Sequence, residues 1–143
     1  RGSTIELAEW TVALAVFPQV FKELKKTINQ WNNKSFIHIP MDVRFLEKDS
    51  AWLSYAYDQD TVTMGCVSRN ASTADSYEAF KTIEKIFIKY GGRPHWGKRF
   101  EAKDTQLNEI YPKWNDFKKL RKELDPTNKF LNGYLKQVFN ETT

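Results

Sequence analysis

The sequence predicts an α+β fold: an antiparallel sheet covered on one side by helices, followed by a helical C-terminal extension. Three observations predict it. Ile37, Ile39, Met41, Val43 and Phe45 recur at period two, the repeat of a strand with one buried face. Phe17, Val20, Phe21, Leu24, Ile28 and Trp31 fall on one stripe of an amphipathic helix, and Phe80, Ile83, Phe87 and Tyr90 on another. The elements up to Tyr90 follow the order β-α-β-(β)-β-α, in which strands pair with one another and the helices share one face of the sheet.

Taken in order, Trp10, Val12, Leu14 and Val16 alternate with smaller or polar neighbours, so a first strand is expected over Glu6–Val16. A helix follows from Phe17 to Trp31, with Pro18 in its first turn, where a missing N–H costs nothing, and Lys22, Lys25 and Lys26 facing away from the apolar stripe. Asn32-Asn33-Lys34-Ser35 breaks it. The second strand, Phe36–Leu46, sends His38, Pro40, Asp42 and Arg44 to the face opposite its apolar residues, which is the open face of the sheet. Ala51–Tyr57 is short and aromatic, a strand fragment or a loop, and Asp58-Gln59-Asp60 is a turn. Val62, Met64 and Cys66 mark a third strand over Thr61–Val67, and a second long helix over Asp75–Tyr90 stops at Gly91-Gly92.

Beyond the glycines, Asp104 and Thr105 can open a short helix to about Ile110, and Pro112 opens one carrying Trp114, Phe117, Leu120 and Leu124 to a stop before Asp125-Pro126. The tail holds Phe130, Leu131, Tyr134, Leu135, Val138 and Phe139, too apolar to lie in water, so it should dock on something. The chain thus divides into an α+β domain over 1–100 and a helical segment over 101–143.

A hydrophobic share of 41% with 28% charged residues suits one real core and excludes a disordered chain. A net charge of +4 gives only a weak preference for anionic partners, far short of a polybasic tail. Cys66 stands alone, which excludes an intrachain disulfide and a Cys-rich metal site, and His38 and His95 lack ligand spacing, so no metal is expected. No apolar run reaches the ~18 residues of a membrane helix, and the first residues do not build a signal peptide. These features do not fix the location: an intracellular one is favoured, and membrane association at the endoplasmic reticulum or mitochondrion is left open for a eukaryotic source. The sequons at Asn33, Asn70 and Asn140 matter only in a secreted chain.

The most distinctive stretch is Gly91-Gly92-Arg93-Pro94-His95-Trp96-Gly97-Lys98-Arg99-Phe100. Its glycines and proline disfavour both helix and strand, so it reads as a shaped loop that gathers Arg93, His95, Trp96 and Lys98 between rigid flanks. A plainer reading is a helix stop followed by a solvated basic turn.

Arg93-Pro94-His95-Trp96-Gly97-Lys98, then Tyr111-Pro112, then Leu120-Arg121-Lys122-Glu123-Leu124-Asp125-Pro126-Thr127, Phe130-Leu131-Asn132, Tyr134-Leu135 and Val138-Phe139 resemble the C-terminal end of the sugar-1,4-lactone oxidases. Those are gulonolactone and arabinonolactone oxidases and their alditol-oxidase relatives, flavoproteins of the vanillyl-alcohol-oxidase type. The similarity runs from Glu6 to Phe139 and covers only the family's C-terminal part. No Gly-rich loop follows a strand, so the chain resembles a substrate (cap) domain without its FAD-binding half, and the fragment itself is expected to hold no FAD. The 101–143 segment would then pack on the missing FAD-binding domain.

The resemblance implies oxidation of a sugar lactone or polyol, with hydride passing from a substrate carbon to the flavin N5 and dioxygen as acceptor. It also implies catalytic roles for a Glu-x-Arg pair on a cap-domain strand and a lysine in the loop, which match Asp42, Arg44 and Lys98 here. Asp42 is one methylene shorter than the family's glutamate, placing its carboxylate roughly 1.5 Å back. His95, Arg93, Trp96 and Tyr55 are expected to line the substrate or cofactor. The residues also admit plainer roles: a solvated ion pair for Asp42 and Arg44, a surface cation for Lys98, packing for Trp96, a half-buried strand histidine for His38, and an aromatic hairpin for Tyr55 and Tyr57. A nucleic-acid-binding ferredoxin-like module is the alternative function, suggested by the element order, 15% aromatics and the run Lys118, Lys119, Arg121, Lys122. Against it, no basic-aromatic run lies on a strand, so no nucleic-acid partner is expected.

Overall fold

The computed structural model describes residues 5–31, 39–69 and 74–141. Phe36, Ile37, His38 and the sequons at Asn33 and Asn70 lie outside them. The elements are β1 (Ile5–Ala13), α1 (Phe17–Asn29), β2 (Ile39–Leu46), β3 (Thr61–Arg69), α2 (Ala74–Lys89), β4 (Arg93–Pro94), α3 (Asp104–Ile110), α4 (Trp114–Leu124) and α5 (Gly133–Phe139). The strands form one antiparallel sheet in the order β2-β3-β1-β4. That order with a β-α-β-β-α-β sequence of elements is the split β-α-β, or ferredoxin-like, arrangement. The expected fold class is what the chain adopts.

Alternation explains the core. Trp10 and Val12 of β1 and Met64 and Cys66 of β3 turn to one face, where Val20 and Leu24 of α1 and Ile83 and Phe87 of α2 cover them, and Val62, opposite Val12, is fully buried. Trp10 stacks on Phe87 with ring centroids 5.9 Å apart and planes 6° from parallel. Each such side chain contributes about 1.5–3 kcal/mol by leaving water. Burial pushes the Cys66 thiol up to about 12, so it behaves as a small apolar residue.

Four features differ from the sequence reading. β1 ends at Ala13, and Leu14–Val16 form a 3₁₀ turn instead of continuing the strand. Pro18 sits in the first turn of α1 with its fixed φ, so the chain must turn before Phe17; Leu14 is 44% exposed, showing that the apolar alternation outruns the sheet. In β2 the register slips between Ile39 and Asp42, so the period-two pattern is uninterrupted only from Asp42 onward. Arg93-Pro94, expected to be loop, forms a short edge strand against Thr11 and Trp10, where a proline's missing N–H is tolerated.

Finally, the face expected to be open is open only in part. The β2–β3 connection, with a single bridge between Asp49 and Tyr57, reaches back to β4, and Thr11, Thr61 and Thr63 are buried.

The C-terminal segment joins the same core. Leu107, Tyr111, Trp114, Val138 and Phe139 are buried with the sheet residues, and the Trp114 ring lies 5.1 Å from that of Phe139. Asp125 fixes the corner after α4 by accepting from the N–H groups of Lys129 (2.8 Å) and Phe130 (3.0 Å). Leu124 and Phe130 nevertheless stay 76% and 84% exposed. They border an apolar groove of about 520 Å³ that Leu53, Trp96, Leu120 and Leu135 also line.

Candidate functional site

Residues directly opposite one another in an antiparallel ladder share a face. Asp42 faces Gly65 and Gly65 faces Glu9, while Arg44 faces Thr63, Thr63 faces Thr11 and Thr11 faces Arg93. Two polar rows therefore cross the sheet on the side away from α1 and α2. His95 extends the first row at the β4 edge, its N–H donating to Glu9 O at 2.9 Å.

The loop after β4 is pinned to β1. Arg99 N donates to Leu7 O at 2.9 Å, and the Arg99 guanidinium pairs with Glu6 and, at 3.5 Å, with Glu101. Lys98 N donates to His95 O at 3.0 Å, closing a turn. This delivers the Lys98 ammonium to the Glu9 carboxylate, with which it forms an ion pair. The second ion pair, Asp42 with Arg44, lies on the edge strand β2 with side chains 57% and 60% exposed, whereas Glu9 is only 6% exposed. The two pairs differ energetically. An exposed pair contributes at most about 1 kcal/mol to folding, but taking Lys98 away strands a buried carboxylate at a cost of about 3–5 kcal/mol.

The other candidates divide. His95 Nδ1 accepts from Gly97 N at 3.0 Å, so the ring proton sits on Nε2, which has no partner among the described residues; Tyr55 stacks on the ring at 6.0 Å. Arg93 is a structural clamp. It donates to Ile110 O (2.8 Å), Tyr57 O (2.9 Å) and Tyr55 O (3.3 Å), which ties the β2–β3 connection and the end of α3 to β4. Burial pulls its guanidinium below the ordinary arginine range.

Trp96 lies away from the two rows. Its indole N–H donates to Leu53 O at 3.0 Å, and its ring stacks on Trp114 at 6.1 Å and packs on Tyr111 at 5.6 Å. The structure thus brings Asp42, Arg44, Lys98, His95 and Tyr55 to one side of the sheet, buries Arg93 as its support and gives Trp96 to the C-terminal packing.

Glu9 is the residue that the sequence reading missed. Its signal was present: alternation that buries Trp10 and Val12 under the helices must turn Glu9 and Thr11 to the other face.

Ion pairs beside an imidazole N–H suit a neutral polyhydroxylated ligand, because every sugar hydroxyl both donates and accepts. Each carboxylate on the sheet is already paired with a cation, so this face offers a nucleic acid no uncompensated positive charge for its phosphates, whereas nucleic-acid-binding sheets present basic and aromatic residues. Among the described residues, no group of three or more His, Cys, Asp or Glu side chains is placed to hold a metal ion.

L-gulono-1,4-lactone dehydrogenase of Mycobacterium tuberculosis is 38% identical over 116 residues, covering 80% of this chain and 27% of that protein. L-gulonolactone oxidase of Mus musculus is 32% identical over 136 residues, covering 92% of this chain and 30% of that protein. Alditol oxidase of a Streptomyces species is 31% identical over 99 residues, covering 69% of this chain and 24% of that protein. The chain therefore spans less than a third of the length of these relatives. The family model for D-arabinono-1,4-lactone oxidase matches residues 5–138, and with these relatives it shows that the chain belongs to that sugar-lactone oxidase family.

Proposed function

We propose that this chain is the substrate (cap) domain of an FAD-dependent oxidase acting on aldono-1,4-lactones or related polyols, with dioxygen as acceptor. The observation that carries the reading is the pair of ion pairs, Asp42–Arg44 and Glu9–Lys98, on one face of the sheet of a chain in this family.

The FAD, when bound, takes up the hydride that leaves the substrate carbon. Gly91 and Gly92 do not fit its pyrophosphate. Gly91 holds φ at 69° to close α2, and a Cβ at Gly92 would stand 2.7 Å from Phe87 O, so both are committed to the helix cap. The cofactor is therefore held by parts of the parent outside this chain.

The residues present bind and orient the sugar. Arg44 and Lys98 donate to hydroxyl or carbonyl oxygens and steady negative charge that develops on the reacting oxygen; Asp42 accepts from the hydroxyl and holds it in one orientation. The apolar groove beside α4 and α5 is where the FAD-binding part of the parent packs. This reading rests on the 76% and 84% exposure of Leu124 and Phe130 and on the large share of the relatives' length beyond the match.

Anaerobic reduction of the full-length flavoprotein by sugar-1,4-lactones and alditols tests the reading. Arg44→Met should slow flavin bleaching by about 10²–10³-fold, because a positioned charge acts on the transition state. It should also leave the unfolding free energy within about 1 kcal/mol, because the pair is exposed. Unchanged bleaching would remove Arg44 from the site, and a flavin that no lactone or alditol bleaches would refute the assignment.

A further inference from the structure

Gly65 sits in the middle of β3, the strand between β2 and β1, where glycine weakens a sheet relative to alanine. The fold gives no reason for it. Its φ is not in the left-handed region, and the register slip beside it lies in β2 between Ile39 and Asp42, so neither a turn nor a bulge of its own strand requires it. A Cβ built there would lie 3.7 Å from Glu9 Oε2 and 3.9 Å from Asp42 Cβ, ordinary contact distances, with no other neighbour within 4 Å. A strand glycine without a structural cause marks a place where something approaches the backbone closely.

What flanks the bare Cα says what approaches. Glu9 and Asp42 stand on either side in the same row, about 10 Å apart at Cα by two interstrand spacings, and each carries its own cation, Lys98 and Arg44. A carboxylate beside an ammonium or guanidinium offers acceptor and donor together, which matches a hydroxyl at each end of a short carbon chain. A charged ligand is disfavoured, because both carboxylates are already neutralised.

The geometry points to Gly65 as a specificity-determining position: its missing side chain leaves a slot in which the polyhydroxylated carbon skeleton of the substrate lies against the sheet, its hydroxyls bridging the Glu9–Lys98 and Asp42–Arg44 pairs. This rests on the proposed substrate class. It adds Glu9 and Gly65 to the residues that the resemblance implied.

The test is Gly65→Ala in the full-length flavoprotein, beside wild type. Alanine fits the backbone and its neighbours, so the flavin content and melting temperature should be unchanged or slightly higher. KM for the preferred sugar lactone should rise at least tenfold, with the dissociation constant by calorimetry rising in parallel and kcat falling less than threefold. Gly65→Val should raise KM further. An unaltered KM in Gly65→Ala, or a loss confined to kcat, overturns the slot while leaving the proposed function standing. A wild-type flavoprotein that neither binds nor is reduced by any lactone or alditol overturns the proposed function and the slot with it.

Discussion

Asp42 carries much of the chemistry proposed for the site. Its carboxylate is more than half exposed and paired with Arg44 two residues along the same strand, so folding gains little from it. The resemblance implies a glutamate there, and aspartate holds the carboxylate roughly 1.5 Å further back. If that carboxylate accepts from the substrate hydroxyl, Asp42→Glu in the full-length flavoprotein should retain most of the flavin-reduction rate, whereas Asp42→Asn should lose about 10²-fold or more. Near-wild-type rates in both variants would exclude Asp42 from the reaction. Arg93 shows the converse. The sequence offers it as a site cation, but its Nε and Nη1 donate to three backbone carbonyls, partners with no sequence signature, so its role as a clamp became visible only in the fold.

At the scale of elements, what was legible was what is local. The alternation in Val62–Cys66, the stripes of α1 and α2 and the glycine stop after α2 each depend on neighbours a few residues away, and each formed where expected. The two residues of β4 depend instead on Trp10 and Thr11, and the cover over Thr11 and Thr61 depends on a loop folding back to β4; neither long-range pairing has a periodic signature. The clasp between the two long helices is of the same non-local kind. Glu23 of α1 accepts from Lys89 Nζ at 2.8 Å and from the Tyr90 hydroxyl at 2.7 Å. Those hydrogen bonds, that from Lys89 foremost, hold its carboxyl below the ordinary value of 4.5. A lowered folded-state value means that the stabilisation is present above 4.5 and disappears as the pH falls through the folded-state value. Glu23→Gln should therefore melt below wild type at neutral pH, and the two melting curves should converge in acid. A gap between them that persists in acid would show that the clasp works through packing.

At the scale of the whole molecule, the groove beside α4 and α5 separates this chain from the flavoprotein proposed to contain it. The tail buries Val138 and Phe139 against Trp114 but leaves Leu124 and Phe130 turned outward, although burying either is worth about 1.5–3 kcal/mol. In the chain alone those two side chains touch mostly water. Phe130→Ala and Leu124→Ala should then change its unfolding free energy by no more than about 0.5 kcal/mol each, as for other exposed positions. In the full-length flavoprotein, where the FAD-binding part is proposed to close the groove, each substitution should destabilise by about 1.5–3 kcal/mol and speed the loss of flavin on heating. Chemical unfolding of both proteins with both variants decides the matter, because the prediction concerns the difference between the two contexts. An equally small effect in both would leave the groove open to solvent in the parent and place its contact with the FAD-binding part elsewhere on this chain.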